Sequence, residues 1–173
     1  SGQVIPASDE LCESMFRQLG SMLAEAGFEH YEISNFCREG KRSRHNSSYW
    51  NSTPYLGIGA GAHSYNGHIR KWNPDDIDLY MDSMEGGTTC FQSEELTKED
   101  LFNEYIMLGL RTAEGISVDE IYRRFGNSYG QQIERSAMPF ISQGKLVNEK
   151  GRLRFPEDSL FISDSIISSL FAD

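Results

Sequence analysis

The stretch from His45 to Tyr65, HNSSYWNSTPYLGIGAGAHSY, gathers two histidines, three tyrosines, a tryptophan and a Gly-x-Gly-x-Gly run. Imidazoles ligate metals, haem iron among them, and flat aromatic side chains stack on planar ligands. The flanks are cationic. Arg38, Lys41, Arg42 and Arg44 precede His45, and Arg70 and Lys71 follow His68, although the chain as a whole carries a formal charge of −10. A guanidinium suits carboxylates. Imidazoles, flat rings and a cationic rim in one segment fit an anionic tetrapyrrole.

Blander readings stand beside that one. Trp50, Tyr55 and Tyr65 are residue types found more often in a core or a wall than in a site. GIGAGA resembles a dinucleotide loop, but such a loop must open a helix, and the AHSYNGHIRKW that follows is not helical in pattern. His45, His63 and His68 with Cys37 or Glu32 make a conceivable zinc set, but their spacing matches no zinc pattern. Both alternatives are disfavoured.

The elements that must position these residues divide into two groups. Ser8 caps a helix with Asp9 and Glu10 in its first turn. Leu11, Met15, Leu19, Met22, Leu23 and Ala26 follow at helical spacing, and Gly27 is the stop. Alternation predicts one strand over 28–36. A basic loop, REGKRSRHN, leads into the aromatic motif, and 55–65 reads as a second strand with Gly57, Gly59 and Gly61 on one face. Asn73-Pro74-Asp75-Asp76 starts a helix capped by Asn73 that ends near Gly86-Gly87.

A polar stretch, 86–95, is the expected domain boundary. Beyond it Thr97 opens a helix, and Ser117 with Glu120 opens a short one closed by Gly126. A third helix runs over about 129–143, kinked or restarted near Pro139. A hairpin turning at Lys150-Gly151 follows, then a last helix with Ile166, Ile167, Leu170 and Phe171. The expected class is α+β (α/β): an α/β part over 3–86, then a mostly helical, winged-helix-like domain over 95–173.

A winged helix invites a DNA-binding reading, but from Lys98 to Asp173 nine basic residues face twelve acidic ones. The would-be recognition helix offers only Arg135, so no nucleic-acid partner is expected. No apolar run spans a bilayer, so no membrane segment is expected. Cys12, Cys37 and Cys90 are odd in number and widely spaced, which reads as free thiols in the cytoplasm. Ser1-Gly2 without Met reads as a cloning scar, and Gln3-Val4-Ile5-Pro6 as an entry in mid-protein.

The run YEISNFCREGKRSRHNSSYWNSTPYLGIGAGAHSY (31–65) resembles the oxygen-independent coproporphyrinogen III oxidase-like (HemN/HemW) family of radical SAM proteins. His45-Asn46-Ser47-Ser48-Tyr49-Trp50 has the HNxxYW form that resembles its haem chaperone branch, HemW. The likeness continues through Gly59-Ala60-Gly61-Ala62-His63, GISVDEIYRRFG and FISDSIISSLF, so it covers essentially the whole chain. It implies that 3–86 is the C-terminal part of a radical SAM partial β/α barrel and 95–173 the HemN-type C-terminal domain.

The family's cluster motif, CxxxCxxC, does not occur in this sequence. The resemblance therefore places the 4Fe-4S cluster and S-adenosylmethionine in the parent protein, with haem as a further ligand. It implies that this piece requires no cofactor and performs no catalysis alone.

On the same ground His45 is the candidate axial ligand of haem iron. Asn46 orients its loop, Tyr49 and Trp50 line the ring face, and Arg42 and Arg44 meet propionates. Gly59, Gly61 and His63 are assigned to the S-adenosylmethionine pocket. Cys37 departs from the family pattern, where a small residue is usual. The function implied is haem or porphyrin binding for delivery to haem-accepting proteins. Two alternatives stay open: a fragment of a coproporphyrinogen oxidase, and a non-catalytic scaffold that binds partners through its winged-helix-like part. Whether the chain belongs to an enzyme also stays open. A cut barrel leaves a sheet edge to which a second copy could pair, so a homodimer is among the expected states.

Overall fold

A computed structural model describes residues 6–88 and 90–172. Gln3, Val4 and Ile5, the start of the expected first part, lie outside them. Helix α1 (Asp9–Glu25) begins where Ser8 Oγ accepts the Leu11 amide, with Asp9 and Glu10 in the first turn. Its apolar face carries Leu11, Met15, Leu19 and Met22, and each of these is at least half exposed.

The single strand expected over 28–36 is a hairpin instead. Strand β1 (Phe28–Glu32) turns at Ile33-Ser34 and returns antiparallel as β2 (Asn35–Arg38). The turn is fixed from outside the hairpin: Ile33 N–H donates to the Arg111 carbonyl and Ala113 N–H to that of Tyr31. No Gly or Pro marks it, and Ser34-Asn35 is the one local turn signal.

His45 to Trp50 is not a loop. Ser43 caps a helix, α2 (Arg44–Trp50), by accepting the Asn46 amide. The strand expected over 55–65 reduces to a loop closed by one pair of bonds, Tyr55 N–H to Tyr65 O and Tyr65 N–H to Tyr55 O (2.8 and 2.9 Å). Only its end is strand, β3 (His63–Tyr65), which pairs with β4 (Ile69–Trp72). Asn73 does not cap the next helix. Asp76 does, and α3 runs Ile77–Glu85. The Asn73 side-chain Nδ2 donates instead to the Gly59 carbonyl. Within the polar stretch expected as a boundary, β5 (Gln92–Glu95) adds to β4.

The remainder follows the winged-helix order. Helix α4 (Lys98–Leu110) opens with a full capping box between Thr97 and Asp100. Strand β6 (Ile116–Ser117) leads into α5 (Val118–Phe125), capped by Ser117. Helix α6 (Asn127–Ser142) is one element that runs through Pro139 without a restart. Strands β7 (Val147–Glu149) and β8 (Arg152–Arg154) form the wing, with sheet order β6-β8-β7. Lys150 and Gly151 at the turn both have positive φ, the tight hairpin geometry expected of that pair. A 3-10 turn (Glu157–Ile162) and α7 (Ser163–Ser169) close the chain.

The core lies in this second part. Phe102, Ile106, Leu110, Ile116, Ile121, Ile133, Leu146, Leu153 and Leu170 form one buried cluster. Among the described residues before 96, the buried hydrophobic side chains are Tyr31, Cys37 and Tyr65.

Candidate functional site

Helix α2 is held from behind and open in front. On the held face, Asn46 Nδ2 donates to Asn35 Oδ1 (3.4 Å), and Asn35 Nδ2 donates to Glu32 Oε2 (2.5 Å). Glu32 is 2% exposed. It also accepts from the Ser34 amide and from Arg111 Nε (3.1 and 3.2 Å), so the buried carboxylate is met by donors within the fold. Arg111 in turn lies over the Trp50 ring, 5.2 Å from its centroid. Hairpin, α2 and the end of α4 thus share one polar knot. Asn46 is tied through Asn35 to Glu32; sequence reasoning did not single out Asn35, and named Glu32 only for the disfavoured zinc set.

On the open face, His45 and Tyr49 stand one turn apart, their rings edge to face at 5.1 Å. Tyr49 meets Tyr55 edge to face at 5.1 Å, and Tyr55 lies 6.1 Å from Tyr65. The ladder runs from an exposed imidazole to a buried phenol. Burial, with Glu104 second, raises the Tyr65 pKa. Tyr49, Tyr55, Tyr65, Arg70 and Met107 line a cavity of about 100 Å³. Arg70 is occupied by Glu104 and Glu94.

Trp50 does not share this face. It follows Tyr49 in the helix and is turned about 100° away, lining a separate cleft with Tyr31 and Arg42. Arg42 is not a free cation either. It bridges Glu29 and Glu114, and the bond to Glu29 above all raises its pKa. Arg44 is exposed and, among the described residues, has no carboxylate partner. Of the two arginines expected to meet propionates, the structure leaves Arg44 available.

The glycine loop forms a different place. Gly59 and Gly61 have φ of +112° and +67°, which a strand of L-residues cannot adopt and which explains the loop. A Cβ at Gly57 would overlap the His63 backbone. Gly59 N–H donates to the Tyr80 hydroxyl (3.2 Å) and Gly61 N–H to the Pro74 carbonyl (2.7 Å), so both amides are used within the chain. Leu56 and Ile58 are 78% and 83% exposed. His63 stacks on Trp72 at 5.9 Å and, with Gly61 and Asp75, lines a cleft of about 430 Å³. His45 is not among that cleft's lining residues.

The cysteines do not fit an iron–sulfur cluster. Cys12 is on α1, Cys37 is buried in β2 and Cys90 lies ahead of β5. Among the described residues no three His, Cys, Asp or Glu side chains are grouped to hold a metal. The Cys37 thiol is pushed up by burial and then by Glu29, as an inert buried thiol should be.

Comparison with known proteins matches residues 96–161 to the family described as the HemN C-terminal domain. The protein named heme chaperone HemW of Bacillus subtilis (strain 168) is 33% identical, over 92% of this chain and 40% of its own length. This chain belongs to the HemN/HemW-like radical SAM family. A Bos taurus member named radical S-adenosyl methionine domain-containing protein 1, mitochondrial, is 32% identical over 97% of the chain and 41% of its own. This HemN/HemW-like chain thus spans about two fifths of the length of the curated relatives it matches. Its fold matches the coproporphyrinogen III oxidase HemN from Escherichia coli, a radical SAM enzyme. That match has a TM-score of 0.69 and 14% identity, over 90% of this chain and 40% of that one.

Among the described residues no helix is long and apolar enough to cross a membrane. Two of the wing's cations are used within the fold: Arg152 donates to the Glu114 and Gly115 carbonyls, and Arg154 pairs with Glu149.

Proposed function

We propose that this chain is the C-terminal portion of a haem chaperone of the HemW kind, with haem as its cargo, and that it is not catalytic alone. The observation that carries the reading is the exposed His45 imidazole, set edge-on to Tyr49 on a helix fixed from behind by Asn46, Asn35 and Glu32. A rigid, accessible imidazole beside an aromatic face and an unpaired Arg44 suits a planar ligand carrying carboxylates.

The cavity of about 100 Å³ beside Tyr49 is too small to enclose a macrocycle, so the ring would rest on the open face of α2. Tyr49 would contact it, and Arg44 would meet a propionate. His63, with Gly59 and Gly61, belongs to a second place, which we assign to the S-adenosylmethionine side of the parent protein. Residues 3–86 and 95–173 are taken as its two units. Three unpaired thiols suit a reducing compartment, the cytoplasm.

Haemin added to the purified chain, followed in the Soret region, tests this. The parent chain is expected to give a shifted band that His45→Ala removes. Arg44→Ala should weaken binding roughly ten- to a hundred-fold without moving the band. A spectrum that survives His45→Ala and disappears with His63→Ala refutes the assignment.

A further inference from the structure

The cleft behind α2, between it and the winged-helix part, has a composition the haem reading does not use. Its volume is about 390 Å³, within the range of small-molecule sites. In a chain of formal charge −10, three arginines and one glutamate line it: Arg42, Arg124, Arg152 and Glu114. Glu114 is bound to Arg42, whose charge Glu29 also offsets.

Arg152 is held by its Nε and one terminal nitrogen on the Glu114 and Gly115 carbonyls, at 3.0 and 3.1 Å. Three of its five N–H groups are left over. Arg124 lies over the Tyr105 and Phe125 rings at 5.1 and 5.0 Å, and Glu120, its one carboxylate neighbour among the described residues, is 4.0 Å away and bound more closely by Arg123. Trp50 forms part of the wall, and its Nε1–H is buried with no acceptor among the described residues. An orphaned buried donor is rare and costly. The groups with spare capacity here are therefore donors and cations, set among the aromatic walls of Trp50, Tyr31 and Tyr105.

We propose that this cleft is a binding site for a small organic anion, a carboxylate or phosphate borne on a flat ring. Arg124 and Arg152 clamp the acid group. The Trp50 indole and Tyr105 supply a face for the ring. Arg152 is fixed on two backbone carbonyls before any ligand arrives, so little side-chain freedom is lost on binding. The site is independent of the haem reading, and haemin plays no part in its test.

The chain has two tryptophans, so Trp72→Phe leaves Trp50 as the sole indole reporter. Its emission is followed while benzoate, adenosine monophosphate and their uncharged counterparts, benzamide and adenosine, are titrated in. At least one charged probe should shift the emission saturably and bind roughly ten-fold or more tightly than its neutral counterpart. Benzoate or the nucleotide, whichever binds, identifies the acid as carboxylate or phosphate. Arg124→Gln should weaken that probe roughly ten-fold or more, while Arg135→Gln, on α6 away from the cleft, leaves it unchanged. Arg152→Gln removes a brace of the wing, so the Arg124 variant carries the test. Failure of both charged probes to saturate, equal binding of a neutral probe, or unchanged affinity in Arg124→Gln would overturn the proposal.

Discussion

The two parts of the chain bury their apolar residues very differently. From Lys98 onward, four helices and a wing close on one cluster, and Phe102, Ile106, Leu110, Ile121 and Ile133 lose essentially all contact with water. Ahead of it, α1 and α3 present Leu11, Met15, Leu19, Met22, Leu79 and Met84 at half exposure or more. The second part contains its own hydrophobic driving force. The first is positioned by hydrogen bonds: Glu32 with Asn35 and Arg111, Arg42 with Glu29 and Glu114, and Arg17 with Asp158. The candidate haem surface lies on the part with little core of its own, and its geometry depends on that polar seam.

The largest expected effect sharpens this contrast. Ile121→Ala opens a cavity in the core and should cost about 2–5 kcal/mol in urea unfolding. Leu19→Ala, at a side chain already half exposed, should stay within about 0.5 kcal/mol. Equal losses would mean that α1 is covered as well as α5 is.

Next comes the seam. Glu32→Ala leaves Arg111 with its Asp164 contact and unties Asn35 and the Ser34 amide, for about 1–3 kcal/mol. It should also change the environment of Trp50, which Arg111 covers, and Trp50 emission reads that directly. A fully folded variant with unchanged emission would remove Glu32 from the account.

A smaller effect follows from acid. The Arg42 hydrogen bond holds the Glu29 carboxyl below the usual glutamate value near 4.5. A lowered folded pKa contributes stability that is complete above 4.5 and is lost as pH falls through the folded value. Proteolysis between α1 and β2 should therefore rise in acid before the winged-helix part yields. Arg42→Ala should flatten that dependence, and a dependence unaltered by the variant would show that the seam does not titrate through Glu29.

What could be read from the sequence was what is local. The Ser8, Thr97 and Ser117 caps and the Lys150-Gly151 turn each rest on chemistry within four residues, and the structure has all of them. Helix α2 is seven residues long and has no apolar period, so nothing but its Ser43 cap announced it. The spaced glycines fit a strand face as well as a loop. Only the positive φ at Gly59 and Gly61 separates the two, and sequence does not carry it. The hairpin turn at Ile33 depends on Arg111, and Arg42 is taken by Glu29 and by Glu114, 72 residues away. Those partners are brought together by tertiary structure, which is why Arg42 and Arg44 looked equivalent and are not.

Amide hydrogen exchange of the chain with and without haemin tests the whole account most directly. Without ligand, the slowest amides should lie within 98–170, where the core is, and those of 44–65 should exchange faster. With haemin, protection should rise over 44–50 and the adjoining loop and stay unchanged over 118–154. Protection gained across the wing and α5, or slow exchange spread evenly over both parts without ligand, would contradict it.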